Sequence, residues 1–210
     1  MNIDDNFIVM KSNPARAYRM TARAEAAERT GERIVDAMLR RYAEVPYDRL
    51  RLEDVAADAE VTVQTVLRRF GSKHGLLVAA IEREFVRLAG ERAAALGESP
   101  RSTLRSLVGY YEDHGTLILK MYAEAHQAPG VPELAARARA SHVGWCREAF
   151  AGALGEALDE VTRARRLAQV VAVCDATTWR ILRFDGDLSS EETEEALAEL
   201  LLPLLPSAGE

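Results

Sequence analysis

Apolar residues recur along the chain at the three- and four-residue spacing that places them on one face of a helix. The clearest case runs from about Arg23 to Glu44. Its predicted apolar face comprises Ile34, Val35, Met38, Leu39 and Tyr42. No segment shows the sustained alternation of β-branched and polar residues that is typical of strands. The pattern therefore predicts an all-α protein.

Proline, glycine and capping residues divide this pattern into nine helices. Thr62 and Ser72 are the expected N-caps of the third and fourth helices, and Ser189 followed by Glu192 predicts a capping box before the last. We predict helices over residues 23–44, 52–59, 63–70, 73–96, 102–114, 115–127, 132–154, 156–184 and 190–202. The fourth helix begins where a small N-terminal head meets a larger body.

The second and third helices have the proportions of a helix-turn-helix, whose second helix enters the major groove of DNA. Val63, Val66 and Phe70 are spaced to pack inward, which turns four polar residues outward: Gln64, Thr65, Arg68 and Arg69. Glutamine and arginine can bond the edges of adenine and guanine. A helical hairpin with a polar face is also common as a purely structural unit, so the pattern leaves both interpretations open.

The charge distribution changes this picture. The net charge is −6, but residues 1–75 hold 13 basic and 12 acidic residues, whereas the remainder holds 14 and 21. Four basic residues precede the first predicted core position without an acidic neighbour: Lys11, Arg16, Arg19 and Arg23. A basic head on an acidic body suits binding of a polyanion at one end. We expect the basic arm to contact DNA when the head binds.

Composition excludes several other classes. The 210 residues are 48% hydrophobic and 29% charged, the balance of a soluble globular protein. Two cysteines cannot form a disulfide framework, and no run is long and apolar enough to span a membrane. The first residues lack the pattern of a signal peptide. We therefore expect a cytoplasmic protein without membrane association.

Residues 32–85 resemble the N-terminal domain of TetR-type transcriptional regulators. The segment from Glu53 to Leu77, EDVAADAEVTVQTVLRRFGSKHGLL, is similar to that family's pattern almost position by position, and its Phe-Gly-Ser-Lys-x-x-Leu ending is the most specific part. The resemblance is weaker in the body. There the chain looks like a subset of these regulators known mainly from actinobacteria, at Tyr111, Glu112, Gly115, residues 123–129, His142 and Trp145. It implies a dimeric repressor that a small molecule releases from an inverted-repeat operator.

The resemblance also implies roles for individual residues of the head. The positions that would face bases are Thr62, Val63, Gln64, Thr65, Leu67 and Arg68. Arg69 and Lys73 fall where phosphates are held, and Arg51 and Leu52 fall where further contacts to the DNA backbone are made. Two residues depart from the family pattern. Glu60 replaces a glycine at a position that tends to be left-handed, and Leu67 replaces a tyrosine.

In the body the resemblance implies a ligand pocket between helices. The candidate lining residues are Tyr111, Leu117, Met121, His142, Trp145, Cys146, Phe150, Trp179 and Leu182, each of which could instead be ordinary core. His142 and Cys146 lie one helical turn apart, but no motif completes a metal site. No nucleophile elbow or phosphate loop is present. We therefore predict no metal, no cofactor and no enzymatic activity.

The last two predicted helices carry apolar stripes that favour a homodimer. The stripe on the eighth helix comprises Leu158, Val161, Leu167, Val171, Cys174, Thr178 and Ile181. The stripe on the ninth comprises Ala196, Leu197, Leu200, Leu201 and Leu204. Two such helices from each subunit would form a four-helix bundle, as they do in the TetR family. Both stripes could instead be buried within their own subunit.

Three regions are expected on these grounds: a basic arm over residues 1–23, a helix-turn-helix domain over 24–75, and a ligand-binding and dimerisation domain over 76–210. Two alternatives remain. The chain could be a helical small-molecule-binding or enzymatic domain whose hairpin is only structural, or a DNA-binding protein without sequence preference.

Overall fold

The computed structural model describes residues 14–94, 96–97, 99–154 and 159–205, with side chains from residue 21 onward except at 152 and 153. Over these ranges the chain forms nine α-helices and no strand, which confirms the predicted fold class. The helices are α1 Pro14–Glu44, α2 Leu52–Asp58, α3 Val63–Phe70, α4 Lys73–Ala94, α5 Pro100–Glu124, α6 Val131–Ala149, α7 Glu160–Val173, α8 Ala176–Arg180 and α9 Ser190–Leu201. None of them is long and apolar enough to cross a membrane.

Three predicted helix boundaries in the body are wrong. The helix expected at 132–154 ends at Ala149 and is followed by a separate 3₁₀ turn, Ala151–Leu154. The helices expected at 102–114 and 115–127 are one helix, α5, which runs through Gly115. A Cβ atom at Gly115 would collide with the indole of Trp179, so this glycine permits close packing and does not end a helix. The helix expected at 156–184 is divided because the Asp175 side chain accepts a hydrogen bond of 2.8 Å from the Thr177 amide and starts α8.

The first helix begins earlier than the sequence predicts. It starts at Pro14, a residue suited to the first helical position because its missing N–H is not needed there. Residues 14–23 of the predicted arm are therefore helical. Residues 1–13, with Lys11, lie outside the described part of the chain, as do the side chains of Arg16 and Arg19.

The head is formed by α1, α2, α3 and the first half of α4 around a shared apolar core. Its fully buried residues include Ile34, Met38, Tyr42, Val55, Val66 and Leu76. The same cluster continues into Met121 of α5 and Leu134 of α6. Head and body are thus packed against each other through one core, and α4 belongs to both.

The body has a second core between α5, α6, α7, α8 and α9. Its most buried side chains are Leu104, Leu107, Cys146, Val170, Cys174, Trp179, Leu197 and Leu201. The predicted capping box is confirmed, because Ser189 and Glu192 exchange hydrogen bonds at the start of α9. After α8 the chain forms one π-helical turn, Ile181–Asp185, which leads into the loop before α9.

The two predicted dimer stripes are divided between the core and the surface. Cys174, Leu197 and Leu201 are buried in their own subunit. Val161 and Leu200 remain 75% and 50% exposed. Leu158 lies outside the described residues.

Candidate DNA-binding surface and ligand cavity

The third helix, α3, is oriented as the sequence predicts. Thr62 is its N-cap, since its hydroxyl accepts from the Thr65 amide at 3.2 Å. Val66 is fully buried, and Val63 and Phe70 pack half-buried against the core of the head. This inward face fixes which residues of α3 face the solvent.

The outward face of α3 presents two polar side chains without protein partners. Gln64 and Arg68 are exposed and make no hydrogen bond or ion pair within the described residues. Thr65 and Leu67 are half-buried beside them. Gln64 and Arg68 are therefore free to bond base edges in a groove.

The start of α2 presents fewer side chains that are free to contact DNA than α3 does. Arg51 is exposed and its Nε lies 3.6 Å from a carboxylate oxygen of Glu53, while Leu52 packs against the core. A surface pair of this length is weak, so Arg51 can leave Glu53 for a phosphate.

Arg69 is engaged within the head. Its guanidinium donates to the Ala27 carbonyl at 2.8 Å and to the Glu28 carboxylate at 3.1 Å. It lies across Gly31, where any larger side chain would collide with it. Arg69 therefore holds α3 against the first half of α1.

Lys73 is engaged in the same way. Its ammonium donates to the carbonyls of Tyr47 and Leu50 at 2.8 and 3.0 Å and lies 4.2 Å from the centre of the Tyr47 ring. These contacts fix the loop between α1 and α2 to the start of α4. One proton of the ammonium remains for another partner, such as a phosphate.

The turn between α2 and α3 has the strained geometry that the family pattern implies. Glu60 has a φ of 55°, in the left-handed region where glycine is preferred. Its carboxylate accepts from Arg33 of α1 at 3.3 Å. Glu60 therefore adopts the left-handed conformation that the family pattern implies at this position.

A cavity of about 80 Å³ lies between α1, α4, α5, α6 and the start of α8. Four predicted ligand-binding residues line it: Tyr111, Leu117, Met121 and His142. Most of the wall is apolar or aromatic, with Leu39 and Tyr42 contributed by α1 of the head. A mostly apolar cavity with a few polar groups is typical of small-molecule sites.

The other five predicted ligand-binding residues lie in the surrounding core and do not line this cavity. They are Trp145, Cys146, Phe150, Trp179 and Leu182. Trp145 donates to the Arg92 carbonyl at 3.0 Å, and Trp179 donates to Glu112 at 2.9 Å. Hydrogen bonds from Arg183 and Trp179 hold the pKa of Glu112 below its ordinary value. The five residues therefore pack behind the cavity wall.

Arg92 of α4 lines the cavity and was not predicted from the sequence. Its Nη2 lies 2.7 Å from Nδ1 of His142 and 3.3 Å from the Tyr111 hydroxyl. Its Nε is buried and has no hydrogen-bond partner within the described residues. In the sequence Arg92 resembles any charged residue near a helix end, so no local signal distinguishes it.

The tyrosines of the cavity are neutral hydrogen-bonding groups. Burial raises the pKa of Tyr110 to about 12 and also raises the pKa values of Tyr42, Tyr111 and Tyr122. Each phenol therefore keeps its proton at neutral pH. Tyr111 donates that proton to the Cys174 carbonyl at 2.8 Å.

The histidine and cysteine pair of α6 sits at the edge of this site. Cys146 Sγ lies 3.7 Å from Nε2 of His142, and both cysteines are free and buried. Within the described ranges no three His, Cys, Asp or Glu side chains are grouped closely enough to hold a metal ion.

The comparisons with known proteins agree with the geometry of the head. Residues 34–80 match the family of bacterial regulatory proteins described as the tetR family. The HTH-type transcriptional repressor KstR of Mycolicibacterium smegmatis is 39% identical over 88 residues, which are 41% of this chain and 43% of KstR. The chain is thus matched to less than half the length of that relative.

Solved structures extend the likeness to the body. A tetR-family transcriptional regulator from Streptomyces coelicolor superposes with a TM-score of 0.66 at 14% identity, over 84% of this chain and 80% of that one. The regulator FadR from Bacillus subtilis, solved with stearoyl-CoA, superposes with a TM-score of 0.63 at 14% identity, over 83% of this chain and 99% of FadR. These likenesses concern the fold. Residues 34–80 thus match the N-terminal domain of the tetR family of bacterial regulatory proteins, and the fold of the chain is similar to that of solved regulators of that family.

Proposed function

We propose that this protein is a sequence-specific DNA-binding repressor that a small molecule releases from its operator. The observation that carries the proposal is the outward face of α3, where Gln64 and Arg68 are exposed and have no partner within the described residues. The helix itself is capped by Thr62 and packed on the core through Val66. The match of residues 34–80 to the tetR family supports it. A regulator of this kind binds and releases its ligand unchanged, so the proposal contains no catalytic step. It would act in the cytoplasm, where chromosomal DNA is reached.

On DNA, α3 would lie in the major groove. Gln64 and Arg68 would bond base edges there, while Thr62 stays occupied as the N-cap. Arg51, which is weakly paired, would contact a phosphate, while Lys73 would hold the loop between α1 and α2 in place. The basic residues before Arg23 would add contacts to the DNA backbone.

The repressor would act as a homodimer. Three apolar residues near the C-terminal end of the body are substantially exposed: Ile181 at 48%, Phe184 at 59% and Leu200 at 50%. Their burial against a second copy would remove this apolar surface from water. To read successive major grooves on one duplex face, the two α3 helices must lie about 34–36 Å apart, so the operator would be an inverted repeat.

The cavity would hold the effector. Its wall includes Leu39 and Tyr42 of α1 and Ile81 and Phe85 of α4, which are also the helices that carry the DNA-binding head. A ligand that fits better when α4 is tilted would favour a dimer with the wrong spacing of α3 helices. A coupling of about 1–3 kcal/mol would suffice for regulation.

The test is a mobility shift with the DNA upstream of the protein's own gene and a scrambled duplex of equal length. The proposal predicts a complex with the upstream duplex at protein concentrations at least a hundredfold lower than with the scrambled one. Equal binding to both would indicate a protein without sequence preference. No complex with either would favour a small-molecule-binding or enzymatic domain whose hairpin is structural.

A further inference from the structure

Among the described residues, the cavity has its single cationic side chain, Arg92, near one end. Along α4, Ile81, Phe85 and Leu88 line the wall together with Glu84, whose carboxylate pairs with Arg87, and the cavity then reaches Arg92. Ile81 and Arg92 are about 16 Å apart along the helix axis. The space is thus long, apolar along most of its length, and cationic at one end.

In the described part of the chain, Arg92 lacks the carboxylate partner that nine other arginines have. Arg41, Arg69, Arg83, Arg87, Arg101, Arg105, Arg137, Arg180 and Arg183 each lie within hydrogen-bonding distance of a carboxylate. Within the described residues no carboxylate lies within 4.0 Å of the Arg92 guanidinium, and its Nε is buried without a partner. A buried cationic N–H without an acceptor is unfavourable, so the site is prepared for an anion.

The acidic residues of the cavity wall are engaged elsewhere. Glu84 pairs with Arg87 at 2.5 Å. Asp175 caps α8, and its second oxygen lies 4.0 Å from Nε2 of His142. Neither carboxylate neutralises Arg92, which leaves that position for a carboxylate from outside the chain.

The guanidinium is held in place by aromatic and histidine contacts. It lies 4.3 Å from the centre of the Trp145 ring and 5.5 and 5.7 Å from those of Tyr110 and Tyr111. Nδ1 of His142 accepts from Nη2 of Arg92, and Nε2 of His142 donates to the Val171 carbonyl at 3.3 Å. These contacts keep the guanidinium at the cavity wall without neutralising it.

We propose that the cavity binds an elongated apolar molecule that carries one carboxylate, with the carboxylate paired to Arg92 and the apolar body directed along α4 toward Ile81 and Tyr42. This inference rests on the proposed role of the cavity as the effector site, and it adds the chemical class of the effector. A medium-chain fatty acid has the required form.

The experiment measures binding to the purified full-length protein without DNA, by the change in tryptophan fluorescence, because Trp145 stacks on Arg92. The probes are acids paired with primary alcohols of the same skeleton: octanoate and octanol, dodecanoate and dodecanol, 4-phenylbutyrate and 4-phenylbutanol. For at least one pair, we expect the acid to bind at least tenfold more tightly than the alcohol. Calorimetry repeats each titration, since it does not depend on the position of the indole.

Three variants assign the preference to Arg92. Arg92→Gln should remove the preference for the acid while changing the affinity for the alcohol less than threefold, and Arg92→Lys should retain part of it. Arg83→Gln, on the same helix but paired to Asp36 away from the cavity, should bind like the wild type. Thermal melts followed by circular dichroism check that each variant is folded. Should Arg92→Gln not fold, the comparison of Arg92→Lys with wild type decides, since a merely structural cation would leave the preference unchanged.

The outcomes separate this inference from the proposed function. A preference for acids that depends on Arg92, in a protein that binds no DNA specifically, would support the inference and contradict the repressor. Specific DNA binding without any acid preference in the panel, or a preference that survives in Arg92→Gln, would overturn the inference and leave the repressor standing.

Discussion

Glu60 has a strained backbone conformation. With φ at 55° it occupies the left-handed region, which costs a residue with a Cβ about 1–2 kcal/mol relative to glycine. Its ion pair with Arg33 offsets little, because the two side chains are 50% and 83% exposed. We expect Glu60→Gly to raise the free energy of unfolding by about 1 kcal/mol, measured by urea denaturation.

The same substitution in a helical position provides the control. Glu53 lies in the first turn of α2, where glycine lowers stability by about 1 kcal/mol. Opposite signs for Glu60→Gly and Glu53→Gly are therefore expected. A loss of stability in Glu60→Gly would mean that the Arg33 contact outweighs the backbone strain.

Local sequence predicts only part of the residue roles in the site. Gln64 and Arg68 are exposed as expected, because helical periodicity alone fixes the outward face of a short helix. The partners of Arg69 and Lys73 lie more than twenty residues away along the chain, so their engagement follows only from the folded head. The role of Arg92 could not be predicted for the same reason, since its neighbours come from α5 and α6.

At the scale of elements, Lys73 holds the loop between α1 and α2 on α4. Hydrogen bonds from a charged donor contribute about 1.5–3 kcal/mol, so Lys73→Met should lower the free energy of unfolding by about 2 kcal/mol. Because the ammonium is engaged by two carbonyls, we expect the salt dependence of DNA binding to change little. Arg51→Met is the comparison variant, because Arg51 is exposed and assigned to a phosphate: we expect little effect on stability and a salt slope reduced by about one.

One result for Lys73→Met would contradict this expectation. If Lys73→Met flattens the salt slope as much as Arg51→Met does, the ammonium leaves the carbonyls of Tyr47 and Leu50 and binds a phosphate in the complex. Urea denaturation and fluorescence anisotropy at two salt concentrations measure both quantities on the same samples.

The contact between α1 and α2 depends on pH. Arg41 donates to both oxygens of Asp58 at 2.6 and 2.8 Å, and these hydrogen bonds hold the pKa of Asp58 below its ordinary value. A lowered pKa in the folded state stabilises the protein above the unfolded pKa of about 4, and this stabilisation is lost as the pH falls through the folded value. We expect Asp58→Asn to be destabilising at pH 7 and nearly neutral well below pH 4.

Removing the partner tests the cause of this pH dependence. In an Arg41→Met background, Asp58→Asn should have a smaller effect at pH 7, and the difference between pH 7 and acidic pH should disappear. Denaturation curves for the four proteins of this cycle give the coupling. A pH dependence that persists without Arg41 would assign it to another group.

The helix boundaries show where local signals stop being sufficient. The caps at Thr62 and Ser189 were predictable, because a cap bonds within its own turn. Gly115 was interpreted as a helix break, although it accommodates Trp179 from α8. Asp175 begins a helix within an apparently continuous apolar pattern. The first error involves packing between distant elements, which propensity does not describe, whereas the second is a local cap to Thr177 that the surrounding apolar pattern concealed.

At the scale of the whole molecule, α4 connects the proposed DNA-binding surface to the proposed effector cavity. It has 22 residues and is therefore about 33 Å long, with Lys73 at the head and Arg92 at the cavity. Because its first half is part of the core of the head, a tilt at the cavity end would move α3. This single helix is the simplest route by which a bound ligand would change DNA affinity.

The proposed dimer is tested on exposed residues. Leu201 is fully buried, so a charge there would disrupt the subunit itself, whereas Phe184 and Leu200 are 59% and 50% exposed. We expect the double variant Phe184→Glu, Leu200→Glu to be monomeric by light scattering, to keep its helicity, and to lose operator binding. Val86→Glu, on an exposed residue of α4, should remain dimeric. A double variant that stays dimeric would place the interface elsewhere.

The most direct test of the account is the affinity of α3 variants for the upstream duplex. Fluorescence anisotropy should give losses of about 1–3 kcal/mol for Gln64→Ala and for Arg68→Ala, with little change for a scrambled duplex. Arg147→Ala, an exposed residue of α6, should match the wild type. If both α3 variants bind the upstream duplex as tightly as the wild type does, α3 does not read DNA through these residues and the central claim is contradicted.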